Sequence, residues 1–201
     1  DSNYDARKRK QGVPMTQNKH NAAILGGGSF GTAMASILAA NGHSVNLWVR
    51  DPETAAAINI DRENSRYLPG AELPEGVTAT DNLEEALTHA SMVFVAIPSK
   101  AFAEVLEQAR QWVPDDTLVI SCTKGIYAEG FLLMSELLHQ YWPHTRIGVL
   151  SGPNLAKEVV EQKFTGTVIA SPDEQLRQTV QDALSCDYFR VYDNPDICLL
   201  Y

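Results

Sequence analysis

Two apolar patterns alternate along the chain. Short, largely apolar runs of four to six residues occur at 22–25, 45–49, 92–97, 117–122, 146–151, 167–171 and 188–192. Such runs predict strands, and the unbroken one from Met92 to Ile97 is expected of a strand buried on both faces. The segments between them read as helices. Residues 32–41 are Ala-rich, with Gly42 placed where a left-handed cap would fall. Residues 99–113 carry Phe102, Val105, Leu106, Ala109 and Val113 at helical spacing. Further helices are predicted from Pro52, over 82–87 behind Asp81 as cap, and over 131–141, 155–162 and 172–184. The longest irregular stretch is 64–77, with Pro69, Gly70, Pro74 and Gly76. Strands alternating with helices predict an α/β fold: a doubly wound, mostly parallel sheet with helices on both faces.

The first strand–helix junction is more specific. Gly26-Gly27-Gly28-Ser29-Phe30-Gly31 follows the run at 22–25 and precedes a helix and a second strand. That is the context in which G-x-G-x-x-G gains meaning. Gly26 would make the tight turn, Gly28 would let a pyrophosphate approach the backbone, and Gly31 would let the helix pack close to the strand. The helix N-terminus would hold the phosphates. The alternative is a plain tight turn.

An acid ending the second strand usually binds a ribose hydroxyl. Here the strand ends Trp48-Val49-Arg50, and Asp51-Pro52-Glu53 follows. Asp51 is either a helix cap or a ribose ligand. Arg50 either faces the adenosine ribose or a 2′-phosphate, or is an exposed strand-end arginine. Ligands in such sheets sit beyond the carboxyl ends of the strands. Three further segments lie there: 96–99, 123–125 and 151–154. Lys124 there either binds a phosphate or carbonyl oxygen or is simply solvated.

Composition narrows the function classes. A chain of 201 residues with 44% hydrophobic residues can form one large or two small domains and bury a core without disulfides. Residues 1–14 hold four basic and two acidic residues, leaving 12 basic against 23 acidic in the remainder. So acidic a body argues against nucleic-acid binding through charge. No apolar run approaches the roughly 18 residues of a membrane span. Cys122, Cys186 and Cys198 are odd in number and without metal-ligand spacing, as expected of free thiols in a reducing compartment. Cys122, in an apolar run, reads as a small core residue. The leader 1–14, with Arg7-Lys8-Arg9-Lys10, lacks the apolar core of a signal peptide, and Met15 opens a second start. It reads as an added or disordered extension, or else as a localisation signal or nucleic-acid arm. The folded unit is then expected to open at 15.

Several motifs together resemble one family. They are Leu25 to Ala33, Asn41-Gly42-His43 with Leu47-Trp48, Arg62-Glu63-Asn64 with Tyr67-Leu68-Pro69, and Thr123-Lys124-Gly125. Ser151 to Glu158 and Phe189 to Tyr192 with Asn194-Pro195-Asp196 complete the series. In this order they resemble bacterial-type NAD(P)-dependent glycerol-3-phosphate dehydrogenase. The resemblance implies a Rossmann-like fold, NAD(P)H as cofactor, and reduction of dihydroxyacetone phosphate to sn-glycerol 3-phosphate for glycerophospholipid synthesis in the cytoplasm. Ser29, Phe30 and Arg50 match the family's cofactor contacts, as does Ala156. Lys124 matches a lysine touching both cofactor and substrate. Gly152 and Asn154 match substrate contacts, Asn154 standing where the family usually has Ser or Thr.

After Asp196 the family continues into a glycine-rich stretch with a proton-transferring lysine and then an all-helical substrate domain. Here the sequence reads Ile197-Cys198-Leu199-Leu200-Tyr201, so the resemblance implies a folded unit over 15–196 with 197–201 as a divergent tail. The resemblance thus implies a cofactor domain without its catalytic base and inactive alone. An apolar patch bared where the helical domain would dock favours self-association, so a homodimer is among the expected assemblies. Two other readings stay open: another hydroxyacid or sugar-phosphate dehydrogenase with the same opening domain, and a nucleotide-binding module without turnover.

Overall fold

The computed structural model describes residues 19–200. The expectations for the leader 1–14 and for Met15 lie outside the described residues.

One eight-stranded sheet organises the chain. Its strands are β1 (Asn21–Leu25), β2 (Ser44–Trp48), β3 (Val77–Thr80), β4 (Met92–Val95), β5 (Leu118–Ser121), β8 (Arg146–Ser151), β9 (Thr165–Ala170) and β10 (Phe189–Asn194). A separate two-stranded ribbon pairs β6 (Ile126–Tyr127) with β7 (Leu132–Leu133). The order across the large sheet is β10-β9-β8-β5-β4-β1-β2-β3. From β1 the chain steps outward to β2 and β3, then returns to β4 on β1's other side.

Alternation along the strands divides the core into two layers. Ile24, Met92, Phe94 and Ile120 face helices α1 (Ser29–Ala40), α2 (Pro52–Asp61), α6 (Ala156–Val160) and α7 (Glu174–Leu184). Leu25, Val93, Val95 and Val119 face α3 (Leu83–Leu87), α4 (Phe102–Ala109) and α5 (Met134–Tyr141). Both faces are covered, which is why these strands read as unbroken apolar runs.

Five local expectations are corrected. The cap of α3 is Asn82, whose side chain accepts from the N–H groups of Glu84 and Glu85, and not Asp81. The Asp81 carbonyl instead accepts from Trp48 Nε1 at 3.0 Å. The helix predicted over 99–113 opens with a 3₁₀ turn at Ser99–Ala101, and the one predicted from 131 starts at Met134 after β7. Strand β3 interrupts the end of the predicted loop. It has only two apolar residues, and Asn59 secures it by donating to and accepting from the Ala79 backbone at 2.8 Å. Lastly, Cys122 is half-buried against the core and not fully inside it.

The sheet also reverses. β9 runs antiparallel to β8, whereas the other neighbours in it are parallel. The connection, residues 152–164 with the five-residue α6 inside it, turns the chain back at the same end of the sheet.

Arg146 and Asp173 fasten that reversed edge. The guanidinium donates to the carboxylate from Nε at 2.5 Å and from Nη2 at 2.7 Å, while the carboxylate also caps α7 through Leu176 N–H at 3.0 Å. The Arg146 hydrogen bond holds the Asp173 carboxyl below its ordinary value of 3.8. This contribution to stability is complete above that value and is lost as pH falls through the lowered folded-state pKa. Asp173→Ala should cost about 1–3 kcal/mol at pH 7, with the gap in Tm from wild type narrowing below pH 3.8. Thermal melts across the acid range check both halves of this statement.

Candidate functional site

A cleft of about 760 Å³ opens where β1, β2, β4, β5 and β8 end. It lies over the point where the strand order departs in two directions from β1, the usual ligand position in such sheets. The residue following each of β1, β4, β5 and β8 lines it (Gly26, Ala96, Cys122 and Gly152), and Val49 with Arg50 does so after β2.

The glycine turn is built as its spacing predicts. Gly26 has φ +117°, and a Cβ there would lie 2.4 Å from the Ala96 carbonyl oxygen. A Cβ on Gly31 would stand 2.0 Å from the Gly26 carbonyl oxygen, so α1 can approach β1 only with glycine there. A Cβ on Gly28 would meet no atom within 4 Å, with φ −72° and ψ 179°. Its missing side chain therefore leaves space in the cleft wall and relieves no contact within the protein. The first α1 bond runs from Thr32 N–H to the Gly28 carbonyl at 3.0 Å, so the amides before it have no intrahelical partner. This bare backbone, at the positive end of a helix dipole, fits a pyrophosphate. Gly27 is a close contact the sequence did not assign: a Cβ there would lie 2.1 Å from Val49 Cγ1.

Beside the turn, the segment after α2 folds over the cleft. Asn64, buried, donates to the Gly27 carbonyl and to Thr32 Oγ1, both at 2.8 Å. Ser29 Oγ donates to the Tyr67 carbonyl at 2.6 Å. Arg62, in a left-handed conformation with φ 54°, bonds the carbonyls of Leu73, Pro74 and Val77 and draws the loop together. Arg66 and Tyr67 consequently line the cleft. Neither was singled out as a site residue, because an exposed arginine in an irregular loop carries no periodic signal.

Asp51 occupies the N-cap position of α2. Its carboxylate accepts from the Thr54 hydroxyl at 2.5 Å and lies 3.8 Å from Arg66 Nη1. The Thr54 hydroxyl holds the carboxyl below its usual range, with the backbone N–H groups of Glu53 and Thr54 and then Arg66 adding to it. Arg50, exposed, lines the cleft next to it.

Across the strand order from Arg50, Lys124 Nζ donates to the Gly152 carbonyl at 3.2 Å. Thr123 fixes the backbone before it by donating to the carbonyls of Ile97 at 2.8 Å and Val95 at 3.2 Å. Asn154 donates to the Gly166 carbonyl at 2.8 Å, which the turn back into β9 places within reach. Lys124, Gly152 and Asn154 thus converge, as do Gly26, Gly28, Ser29, Phe30 and Arg50. Ala156 does not line the cleft; it begins α6 and packs on the core, and Gly31 acts through the helix contact alone. Burial pushes the Cys122 thiol pKa upward, which makes this part of the wall unreactive.

The family model described as the NAD-dependent glycerol-3-phosphate dehydrogenase N-terminus matches residues 21–177. The chain is 92% identical over 183 residues to a glycerol-3-phosphate dehydrogenase [NAD(P)+] of Alcanivorax borkumensis, covering 91% of this chain and 53% of that protein. It is 51% identical over 185 residues to the protein of that name from Pseudomonas fluorescens, covering 92% of this chain and 52% of that protein. The chain spans about half the length of these curated relatives. The crystal structure of glycerol-3-phosphate dehydrogenase from Coxiella burnetii superposes with a TM-score of 0.85 at 34% identity, covering 89% of this chain and 55% of that one.

Because Gly28 has open space and an unstrained backbone, Gly28→Val should fold with stability within about 1 kcal/mol of wild type. The same variant should lose dinucleotide binding, since the new side chain occupies the phosphate position. Nicotinamide fluorescence titration together with a thermal melt separates the two effects; equal binding by both proteins would leave the turn a purely structural feature.

Proposed function

The chain belongs to the NAD-dependent glycerol-3-phosphate dehydrogenase family, and from that membership we propose that it is the cofactor-binding part of an oxidoreductase. The reaction is the interconversion of dihydroxyacetone phosphate and sn-glycerol 3-phosphate with NAD(P)H, supplying glycerophospholipid synthesis in the cytoplasm. The observation that carries this reading is one cleft holding two unlike ends. A bare glycine turn with Arg50 lies on one side of the strand order, and a lysine seated on Gly152 on the other.

Each end has its own work. The turn and the α1 amides neutralise a pyrophosphate without side chains, which keeps the backbone within reach of the phosphates. Bound in the cleft, a reduced nicotinamide supplies hydride to the carbonyl carbon of the triose phosphate. Lys124 presents a positive charge to the substrate's phosphate or carbonyl oxygen, held in place by the Gly152 carbonyl. Asn154 spends its amide N–H on Gly166, which turns the side chain into a fixed wall for the substrate with an oxygen able to accept. Ile97, buried, with Leu150 behind, gives the cleft an apolar floor that excludes water.

The proton for the substrate oxygen belongs, in this reading, to a lysine in the further half of the longer relatives. That half has a surface to dock on: Ile126, Phe131 and Leu155 follow β5 or β8 near Lys124 and are 54%, 85% and 62% exposed. Left bare, a surface of this kind also favours self-association into a homodimer.

Two outcomes test the reading. A polypeptide of these 201 residues should bind NADPH yet show no oxidation of it above background when dihydroxyacetone phosphate is added, because positioned acid–base chemistry is typically worth about 10²–10⁴-fold. Steady oxidation by the pure polypeptide would move the proton relay onto Lys124 or Lys157. Arg50→Ala should weaken NADPH more than NADH, since a charge-assisted hydrogen bond is worth roughly 1.5–3 kcal/mol. Equal losses would instead assign the guanidinium to stacking on adenine.

A further inference from the structure

We propose that Arg66, released from Asp51, is a second cation reading the 2′-phosphate of the cofactor, so that the Asp51–Arg66 pair sets the balance between NADPH and NADH. The inference rests on the cofactor reading above and goes beyond it by naming the residues that choose.

The geometry points to this in three steps. First, Arg50, Asp51 and Arg66 line one end of the cleft, next to the end of β2. The adenosine ribose comes next after the pyrophosphate in a dinucleotide lying on the Gly28 turn, and this is the position it would reach. Second, Arg66 is held there and does not drift. Its loop is tied to the glycine turn by Asn64 two residues before it and by the Tyr67 carbonyl one residue after it. Its guanidinium also lies 5.2 Å from the Tyr67 ring centroid.

Third, the ion pair is loose. Arg66 Nη1 stands 3.8 Å from the Asp51 carboxylate, and the side chains are 63% and 44% exposed. A pair with that separation and exposure is weak and screened by salt, so its rupture opposes binding very little. The carboxylate also keeps a partner when Arg66 leaves, through the Thr54 hydroxyl at 2.5 Å. With a ribose 2′-hydroxyl present, Asp51 can accept from it while Arg66 stays on the carboxylate. With a 2′-phosphate present, Asp51 repels the ligand, and the two guanidiniums of Arg50 and Arg66 outweigh it. Neither residue alone accounts for acceptance of both cofactors; the pair does.

Binding of ADP and of adenosine 2′,5′-bisphosphate to the 201-residue chain, measured by calorimetry at low salt, tests this without any turnover. Arg66→Ala should weaken the bisphosphate about tenfold or more and change ADP less than twofold. Arg66→Lys should recover part of the loss, because the charge is kept and the fork is not. Asp51→Asn should move the other way, strengthening the bisphosphate and weakening ADP. Arg66→Ala that lowers both ligands equally, or neither, overturns the proposal, as does Asp51→Asn with no change in their ratio. Wild-type chain that binds neither ligand overturns the cofactor reading itself. A thermal melt of each variant confirms that the exposed substitutions leave the fold intact.

Discussion

The contact on which most of the molecule depends is the approach of α1 to β1 at Gly31. There, an added Cβ would lie 2.0 Å from the Gly26 carbonyl oxygen, a separation no side chain can accept. Because the helix sits so close, its first turn lies directly over the strand end, and its free amides stand at the mouth of the sheet's switch point. The same proximity packs Ala33, Met34 and Ile37 against Ile24 and Phe94 in the core. Position of the helix, burial of the core layer and polarity of the cleft are therefore consequences of one absent methyl group.

From that junction outward, the order of the irregular segments is set by side chains bonding to backbone. Asn64 is buried at 1% exposure and carries its loop onto the glycine turn across 37 residues of sequence. An amide buried this deeply must be paired, and pairing it in this way fixes everything that follows it as far as Tyr67. On the other side of the cleft, the chain reverses through α6 into β9. That reversal brings the Gly166 carbonyl to Asn154 and closes the cleft beside Lys124. A fully parallel sheet would have carried the chain away from the site at that point.

These origins explain what could be read in advance. The strands β1, β4 and β5 were legible because burial on both faces leaves runs of apolar residues, with Asn21 and Ser121 at strand ends. The glycine turn was legible because each glycine answers a separate steric demand. β3 was missed because two threonines and a loop-like approach conceal a four-residue strand that depends on Asn59 for its attachment. Arg66 was missed for a different reason: its position follows from Asn64 and Ser29, contacts distant in sequence that no local pattern encodes. Asp51 looked like a cap by position, and its carboxylate is shared between the first turn of α2, where the Thr54 hydroxyl bonds it, and Arg66 in the cleft. Ala156 came from the resemblance alone, since a small residue at the start of a short helix, partly buried against the core, carries no signal of its own.

Charge completes the argument about what the cleft admits. The chain is acidic overall, with a formal net charge of −9, so an anion approaching most of its surface is repelled. The residues lining the cleft invert that balance, with Arg50, Arg66 and Lys124 against the single carboxylate of Asp51. The cations also stand at both ends, with the uncharged glycine turn and the α1 amides between them. A dinucleotide with its pyrophosphate on the turn and its adenosine end beside Arg50 and Arg66 matches two parts of this distribution, and Lys124 is left to a second, separate anion. Because the local field opposes the global one, the acidic body acts to exclude anions from the rest of the surface and the cleft concentrates them. Selectivity among nucleotides then falls to the one place in the cleft where both signs meet, beside Asp51.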